Sequence, residues 1–337
     1  MHSLLDPAIL FFVFGVVAGA LRSNLEIPPA ISKFLSLYLL MALGLKGGFA
    51  LAAAGFDARM LASVAAAMLM AVVVPALAYA MLRRHVAGFD AIGVAACYGS
   101  VSAVTFVTAM QTLESQGLAV PGHMTVAMVL MESPAIIIGV LLASALRHGA
   151  TAPVPAGIAA GGVLVAGGPP GRGATPIGKV LHEAFTDGTH LLLLASLLIG
   201  FLSGEAGRAV MQPFAGDLFK GLLAFFLLDM GLMVARHFGT ARSQSPLLIA
   251  YAVVGPLVHA ALALGLAALL ALPLVDAAML MVLSASASYI VVPAVLRHAV
   301  PEANPALYVG LSLGITFPLN ILLGIPLYLW VARMVLA

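Results

Sequence analysis

Gly99-Ser100-Val101-Ser102-Ala103-Val104-Thr105 interrupts an apolar run that extends from Asp90 to about Thr112. The run is long enough to cross a bilayer as a helix, which takes about 20 residues, but its centre is small and rich in hydroxyl groups. A second interruption, Ser284-Ala285-Ser286-Ala287-Ser288-Tyr289, occurs in the other half of the chain. Both follow an Asp-Ala pair by the same interval, Asp90-Ala91 and Asp276-Ala277. Two interrupted apolar segments at matching positions of two halves are the best sequence indication of a transporter's substrate site.

The composition indicates a polytopic membrane protein. Of the 337 residues, 63% are hydrophobic and 8% are charged, whereas a soluble domain carries about 25% charged residues. The net charge of +2 gives no basis for nucleic-acid binding, and the single cysteine, Cys97, excludes an internal disulfide and a multi-cysteine metal site. The sequence contains no phosphate-loop, nucleophile-elbow or zinc-helix motif. We therefore predict neither an enzyme nor an ATP-driven pump, and no metal site.

Ten apolar runs have about the length that a bilayer core of ~30 Å requires of a helix. The sixth and seventh are short or interrupted by polar residues, so nine or eleven spans remain open alternatives. The predicted spans are Pro7–Leu21, Ala30–Ala53, Met60–Leu82, Asp90–Thr112, Pro121–Leu146, His190–Gly204, Phe219–Val234, Leu247–Leu270, Ala277–Ala299 and Pro305–Val335.

One long hydrophilic connection separates the fifth span from the sixth. It predicts a first five-helix repeat at residues 1–146, a linker rich in Gly and Pro at 147–189, and a second five-helix repeat at 190–337. An amphipathic turn is expected in the linker near Ile177–Phe185. Basic residues in short loops mark the cytoplasmic side of a membrane, and their distribution favours both termini outside and the linker in the cytoplasm.

Short sequence similarities relate the two halves. Met41-Ala42-Leu43-Gly44-Leu45-Lys46 resembles Leu228-Asp229-Met230-Gly231-Leu232-Met233, and Glu132-Ser133-Pro134 resembles Thr316-Phe317-Pro318. Five spans in each half require the halves to enter the membrane in opposite senses. The prediction is an all-α protein of about ten helices in two inverted repeats, with discontinuous fourth and ninth helices. Such repeats allow one site to face either side of the membrane.

The paired serine stretches predict an anion site. A helix that breaks in mid-membrane exposes unpaired N–H groups and a positive dipole end, and two such ends facing each other would bind an anion without a cationic side chain. The alternative is that the serines bond to carbonyls of their own helix or pack as small residues. The hydroxyls that we expect in the site are those of Ser100, Ser102, Thr105, Ser286 and Ser288.

Ionisable residues inside spans are the next candidates, because a charge at mid-bilayer costs roughly 2.5–3.5 kcal/mol. Glu132 and Asp229 are predicted to couple an ion or a proton to transport, and Lys46 to neutralise a carboxylate or the substrate. A structural ion pair is the alternative for all three. Asp90 and Asp276 are predicted to be helix N-caps. The histidines at positions 123, 190 and 259 show no metal-ligand spacing and are expected to pack or to lie at the interface.

Motifs spread over most of the chain resemble the sodium-dependent bicarbonate transporter family of cyanobacteria and other bacteria. The matching residues are Ile27-Pro28, Ala30-Ile31-Ser32, Gly44-Leu45, Gly47-Gly48, Val101-Ser102, Thr105, Thr112-Leu113-Glu114, Ser286, Ser288, Ile290, Pro293, Leu296-Arg297, Pro301 and Ala303-Asn304-Pro305. The resemblance implies an elevator-like carrier with core and scaffold domains, usually a homotrimer in the bacterial inner membrane. It also implies sodium coupling, bicarbonate as substrate and, in some members, a PII-like cytoplasmic regulator.

The chain departs from the family pattern at both serine stretches. Where the family has Ser-Gly-Ser-Thr, this chain has Ser102-Ala103-Val104-Thr105, and where it has Ser-Ser-Ser-Asp, this chain has Ser286-Ala287-Ser288-Tyr289. Tyr289 therefore joins the predicted site in place of a carboxylate that would suit sodium, while the acidic residue at Glu132 is kept. The first hypothesis is sodium- or proton-driven transport of bicarbonate or another small carboxylate. The second is a transport-inactive relative that acts as a membrane sensor or assembly partner; a channel or an intramembrane enzyme fits the pattern less well.

Overall fold

The computed structural model describes residues 6–55, 58–150 and 188–336. Within these ranges all regular structure is helical, as predicted. The α-helices are α1 (Pro7–Ala20), α2 (Pro29–Ala54), α3 (Ala58–Leu82), α4 (Gly88–Gly99), α5 (Ala103–Ser115), α6 (Gly122–Ala150), α7 (Gly188–Met211), α8 (Leu218–Arg242), α9 (Pro246–Leu269), α10 (Leu274–Ala285), α11 (Val291–Ala299), α12 (Pro305–Leu311), α13 (Phe317–Leu319) and α14 (Ile325–Leu336).

Seven helical stretches among the described residues are long and apolar enough to span a membrane. The sequence predicts ten spans, and three differences from the structure account for the lower number found. The first predicted span, α1, and the ninth, which is divided between α10 and α11, contain no helix of spanning length. The sixth and seventh fall in one 52-residue stretch, Leu191–Arg242, because the π-helical turn Gln212–Asp217 joins α7 to α8. Most of the predicted linker, with its amphipathic turn, lies outside the described residues.

Two helix pairs pack with their backbones in direct contact. α1 lies along α8, and α2 lies along α7. A Cβ atom on Gly15 of α1 would lie 2.3 Å from the carbonyl oxygen of Leu228 in α8, and one on Gly48 of α2 would lie 2.2 Å from that of Leu197 in α7. Any side chain at these glycines would force the helices apart. Small residues at such contacts are typical of membrane helices, whose association relies on close packing.

The helix is interrupted at both predicted positions. α4 ends at Gly99 and α5 begins at Ala103, whereas α10 ends at Ala285 and α11 begins at Val291. Non-helical backbone at membrane depth is tolerated only where protein or a cavity surrounds it. Accordingly, the span that contains the first break is 94% buried, against 39–61% for the other spans.

The last span, Pro305–Leu336, packs against the helix that ends at the second break and forms a hydrogen bond with it. Two π-helical turns, Ser312–Thr316 and Asn320–Gly324, flank the short α13 that contains Pro318. Proline lacks an N–H, so the regular hydrogen-bond ladder must shift around it. The Asn320 side-chain amide donates to the carbonyl of Ala285 at the end of α10, at 2.8 Å. One orphan carbonyl at the helix break is thereby satisfied inside the protein.

Candidate functional site

A serine hydroxyl caps the first turn of the helix that follows each break. The Ser102 Oγ accepts from the Thr105 N–H of α5 at 3.2 Å, and the Ser288 Oγ accepts from the Val292 N–H of α11 at 3.2 Å. Ser102 is the N-cap of α5, whereas Ser288 lies two residues before Ile290, the N-cap of α11; both hydroxyls satisfy an N–H that has no partner within its helix. Because each hydroxyl uses its oxygen as the acceptor, each keeps its own proton to donate to another group.

The two breaks cross each other, and a backbone N–H from each donates a hydrogen bond to the other interrupted helix. The Ser102 N–H donates to the Ser286 Oγ at 3.0 Å, and the Ser288 N–H donates to the Cys97 carbonyl at 2.8 Å. The Ser286 hydroxyl also donates to the carbonyl of Leu283, its own helix neighbour, at 2.8 Å. Ser286 therefore uses both its acceptor and its donor to hold the crossing together, which is the structural alternative considered for these serines.

A cavity of about 70 Å³ lies beside the crossing and contains three of the six residues predicted to bind substrate. Eleven of its seventeen lining residues have apolar side chains. The polar lining residues are Ser36, Ser102, Glu132, Thr189, Ser288 and Tyr289.

Four other predicted site residues do not line this cavity. Ser100 and Thr105 are buried, and their hydroxyl oxygens have no hydrogen-bond partner among the described residues. Ser286 is occupied at the crossing. Asp229, predicted to couple an ion, accepts a hydrogen bond from the Ser32 hydroxyl and so connects α8 to α2; Phe226, one turn earlier on α8, reaches the cavity instead.

Tyr289 lines the cavity, and its hydroxyl group makes few polar contacts. Its side chain is only 7% exposed, and its ring lies 5.1 Å from that of Phe317, centroid to centroid. The hydroxyl lies 3.9 Å from the Met230 Sδ and interacts with Ser102. A thioether is a weak acceptor, so the phenolic proton can move to a better acceptor in the cavity.

Glu132 brings a carboxyl group into the same cavity from α6. It is partly buried, and α6 continues through Pro134, two residues later. The predicted coupling residue and the serine caps thus lie around one space.

Sequence reasoning missed a buried polar cluster, which we call the Asp276 cluster: Asp276, His123 and Ser63. Asp276 is 1% exposed, and its Oδ2 lies 2.6 Å from the Ser63 Oγ and 2.7 Å from the His123 Nε2. The cluster joins the N-terminal parts of α3, α6 and α10. The only sequence signal was a polar residue near the start of each of three spans far apart in the chain.

These contacts correct two predictions from the sequence and extend a third. Asp276 is not an N-cap, because α10 already begins at Leu274 with Pro273 as its cap. Asp90 is not an N-cap either; α4 is capped by Ala87, and the Asp90 carboxylate accepts from the Asn304 N–H at 2.8 Å. His123, at the start of the span Gly122–Arg147, also bonds to Asp276, which the expectation of a packing or interfacial histidine did not include.

A wide cleft of about 1130 Å³ lies near the other end of α5. Lys46 lines it and pairs with Glu114 at 2.9 Å, with its ammonium 4.7 Å from the centroid of the Phe219 ring. Lys46 thus forms an ion pair, the alternative considered from the sequence. Glu114 is twelve residues beyond Ser102, or about 18 Å along the helix, so the cleft is distinct from the cavity.

The described residues form helices only, with apolar spans and two interrupted helices that cross beside a cavity, and this is the architecture of a membrane transporter. The comparison with protein families agrees with this class. The chain belongs to the Na⁺-dependent bicarbonate transporter superfamily, whose model matches residues 7–333, nearly the whole chain. The family resemblance seen in the serine motifs is thereby confirmed, and the family is one of transporters rather than enzymes. No curated protein matches the chain.

Proposed function

We propose that the protein is a secondary active transporter that carries bicarbonate or a similar small anion through the cavity at the crossing. The observation that supports this most is the pairing of two capped helix starts at one cavity. Ser288 has a hydroxyl proton left to donate, and the contacting hydroxyls of Ser102 and Tyr289 provide at least one more. No Lys or Arg is found among the described residues that line the cavity.

The electrostatics of the crossing favour a single negative charge. α5 and α11 both begin there, and a helix start carries about half a positive elementary charge. The hydroxyl groups can donate to anionic oxygens, and hydrogen bonds to charged groups are stronger than neutral ones. The Ser102, Ser288 and Tyr289 side chains are themselves buried, which strengthens these interactions. This arrangement binds an anion without the desolvation penalty of a buried cationic side chain.

Alternating access is the proposed transport mechanism, with inverted repeats as its basis. The helix pairing supports it, because α1 pairs with α8 while α2 pairs with α7, as a two-fold relation between the halves requires. The four helices of these pairs form the proposed scaffold; the other helices form the proposed elevator-like core. We retain the repeats at residues 1–146 and 190–337, both termini outside, and a homotrimer in the bacterial inner membrane. Exposed apolar side chains such as Leu202 and Leu269 would contact lipid.

Sodium is the proposed coupling ion, because the superfamily is Na⁺-dependent. Sodium favours oxygen ligands, and Glu132 provides a carboxylate beside the anion position. A substrate anion and an ionised Glu132 would repel each other, so their joint presence requires a cation or a proton on the carboxyl group. Regulation by a PII-like protein stays a prediction, since most of the segment 147–189 is outside the described residues.

Uptake of radiolabelled bicarbonate into proteoliposomes, with and without an inward sodium gradient, tests this proposal. We expect sodium to stimulate uptake, and the double substitution Ser102→Ala and Ser288→Ala to abolish it. The matched control is Ser115→Ala with Ser245→Ala. Ser115 lies at the exposed end of α5, and Ser245 caps α9 away from the cavity. A cap lost at Ser245 costs about 1 kcal/mol, so this control separates cap loss from site loss.

The second candidate function is a non-transporting membrane sensor, favoured by a single observation. Tyr289 takes the place where the family resemblance implies an aspartate, so the crossing has lost a natural ligand for sodium. If correctly inserted protein neither binds nor accumulates bicarbonate, nitrate or any small carboxylate from formate to valerate, with or without sodium, the transport proposal is overturned in favour of this one.

A further inference from the structure

The cavity at the crossing has a cluster of hydroxyl donors at the helix breaks and a mostly apolar lining elsewhere. Ser102, Ser288 and Tyr289 form the cluster. Most of the other lining residues come from α2, α5, α6, α7, α8 and α11 and are apolar, such as Leu39, Met128 and Phe226. The polar exceptions are Ser36, Glu132 and Thr189. A ligand here meets clustered donors at the breaks and mostly hydrocarbon beyond them.

The apolar part extends away from the donors along α5. Val104 and Val107 both line the cavity, and residues three apart lie on one face of a helix. At 1.5 Å per residue, Val107 lies about 7.5 Å along the helix from Ser102. The space therefore has a length and a direction, with its polar end at the crossing.

A bicarbonate ion does not match this distribution well. It has three oxygens around a planar centre and no apolar part, so it leaves the eleven apolar lining side chains without an apolar partner. A monocarboxylate with an alkyl tail instead presents two oxygens at one end and buries only methylene and methyl groups beyond them.

The size of the cavity sets the length of the tail. About 10–15 Å³ is needed for each water-sized group, so about 70 Å³ accommodates about five to seven non-hydrogen atoms. Propionate, butyrate and valerate fall in this range, whereas bicarbonate and acetate, with four such atoms each, leave space unfilled. Hexanoate, with eight, exceeds it.

We propose that the transported anion is a short-chain monocarboxylate, with its carboxylate on the Ser102, Ser288 and Tyr289 hydroxyls and its tail along Val104 and Val107. This substrate class rests on the proposed transport function of the same cavity. Val104 and Tyr289 are the residues that determine the specificity, because they replace the polar groups of the family pattern with a larger, more apolar surface.

Binding to the full-length protein in lipid nanodiscs tests the substrate class. Binding is preferable to uptake, because the neutral acid forms cross bilayers unaided. Radiolabelled butyrate at pH 8 is competed with bicarbonate, acetate, propionate, valerate and hexanoate, in sodium buffer. We expect affinity to rise about fourfold per added methylene up to valerate, as a gain of about 0.8 kcal/mol per buried CH₂ predicts. It should then fall at hexanoate, and bicarbonate should bind at least tenfold more weakly than butyrate.

A near-isosteric substitution sharpens this test. Val104→Thr keeps the side-chain shape but adds a hydroxyl to the apolar wall, so it should lower the butyrate-to-bicarbonate affinity ratio about tenfold. Val254→Thr on the exposed face of α9 is the matched control, and it should leave the ratio unchanged. Tighter binding of bicarbonate than of every carboxylate, lost in the Ser102→Ala and Ser288→Ala double variant, would overturn the substrate class and leave the transport proposal intact. Affinity independent of chain length would also overturn it. Failure of the folded protein to bind any of these anions would overturn both.

Discussion

The cavity at the crossing and the Asp276 cluster are both buried and polar, but they use their hydrogen-bonding groups differently. At the cavity, Ser102 and Ser288 accept one hydrogen bond each and keep a proton to donate. In the cluster, Ser63 and His123 both direct their bonds to one oxygen of Asp276. Donors without a fixed acceptor suit a ligand that comes and goes, whereas groups already paired hold helices together.

Because of this difference, we expect substitutions in the two regions to change different measured quantities. Substitutions at the cavity should change anion affinity and leave the free energy of unfolding nearly constant. Substitutions in the Asp276 cluster should do the opposite. Ser286 is a test of the distinction, because it lies at the crossing beside the cavity yet has both of its hydrogen-bonding functions occupied.

The largest effect is expected for Asp276→Ala. It leaves the His123 ring nitrogen and the Ser63 hydroxyl buried without their acceptor, and each unsatisfied buried polar group costs about 1–3 kcal/mol. Thermal unfolding in detergent should show this loss, while anion affinity per folded molecule stays the same. Asp90→Ala, the matched substitution in the other half, removes one acceptor from the backbone of Asn304 and should cost about 1 kcal/mol. Equal losses in the two variants would contradict the special role of the cluster.

Tyr289→Phe should have the largest effect on anion binding among single substitutions. It removes one donor to a charged group, worth about 1.5–3 kcal/mol, so affinity should fall about tenfold or more. Stability should change little, because the hydroxyl contacts only a thioether and Ser102. Isothermal titration in nanodiscs measures the first quantity. Tyr308→Phe is the control: its buried hydroxyl has no described partner and lies away from the cavity lining. Unchanged affinity in Tyr289→Phe would remove this residue from the site.

Ser286→Ala should behave like a cluster residue despite its position. The substitution leaves the buried Ser102 N–H without its acceptor, and this should cost about 1–2 kcal/mol of stability, with at most a few-fold change in affinity. Ser284→Ala, two residues away, removes a buried hydroxyl that has no described partner and should be nearly neutral. A large affinity loss in Ser286→Ala without destabilisation would instead make Ser286 a direct ligand.

The local features of this site could be predicted from the sequence, because they depend on short stretches. Runs of apolar residues with a small, hydroxyl-rich centre located both breaks correctly. The orientation of each hydroxyl could not be predicted, because it depends on which serine caps the next helix. Ser102 caps α5, whereas Ser100 lies two residues too early to do so. The Asp276 cluster was missed for a different reason. Its members come from three helices widely separated in sequence, and only the folded chain brings them together.

The number of spans shows a similar limit. Hydropathy places α10 within a long apolar run, but the break at Ser286 leaves a helix of only 12 residues. The sixth predicted span, by contrast, ends where the structure has a kink: at Gly204, inside α7, the backbone leaves helical geometry (φ 55°, ψ −143°). An apolar run therefore predicts burial in membrane or protein more reliably than it predicts where a helix ends.

The smallest effect on stability is expected when the Arg147–Glu302 ion pair on the surface is broken. The two side chains are 2.7 Å apart and partly exposed, and they connect the end of α6 to the loop before α12. The hydrogen bond from Arg147 holds the pKa of Glu302 below its ordinary value. The folded state thus favours the ionised carboxylate, and the resulting stabilisation is fully present above the pKa of the unfolded chain. It is lost as the pH falls through the lower pKa of the folded protein.

Glu302→Gln should therefore cost less than about 1 kcal/mol at pH 7, as exposed pairs generally do. The difference in unfolding temperature between variant and parent should shrink toward zero as the pH falls below 4. Added salt at pH 7 should reduce it as well, since exposed charges are screened. Asp276→Ala should show much weaker salt dependence, because its pair is buried. Equal salt sensitivity in the two variants would mean that the Asp276 cluster is open to solvent, and the contrast with the cavity would then have to be explained by water access rather than by occupied hydrogen bonds.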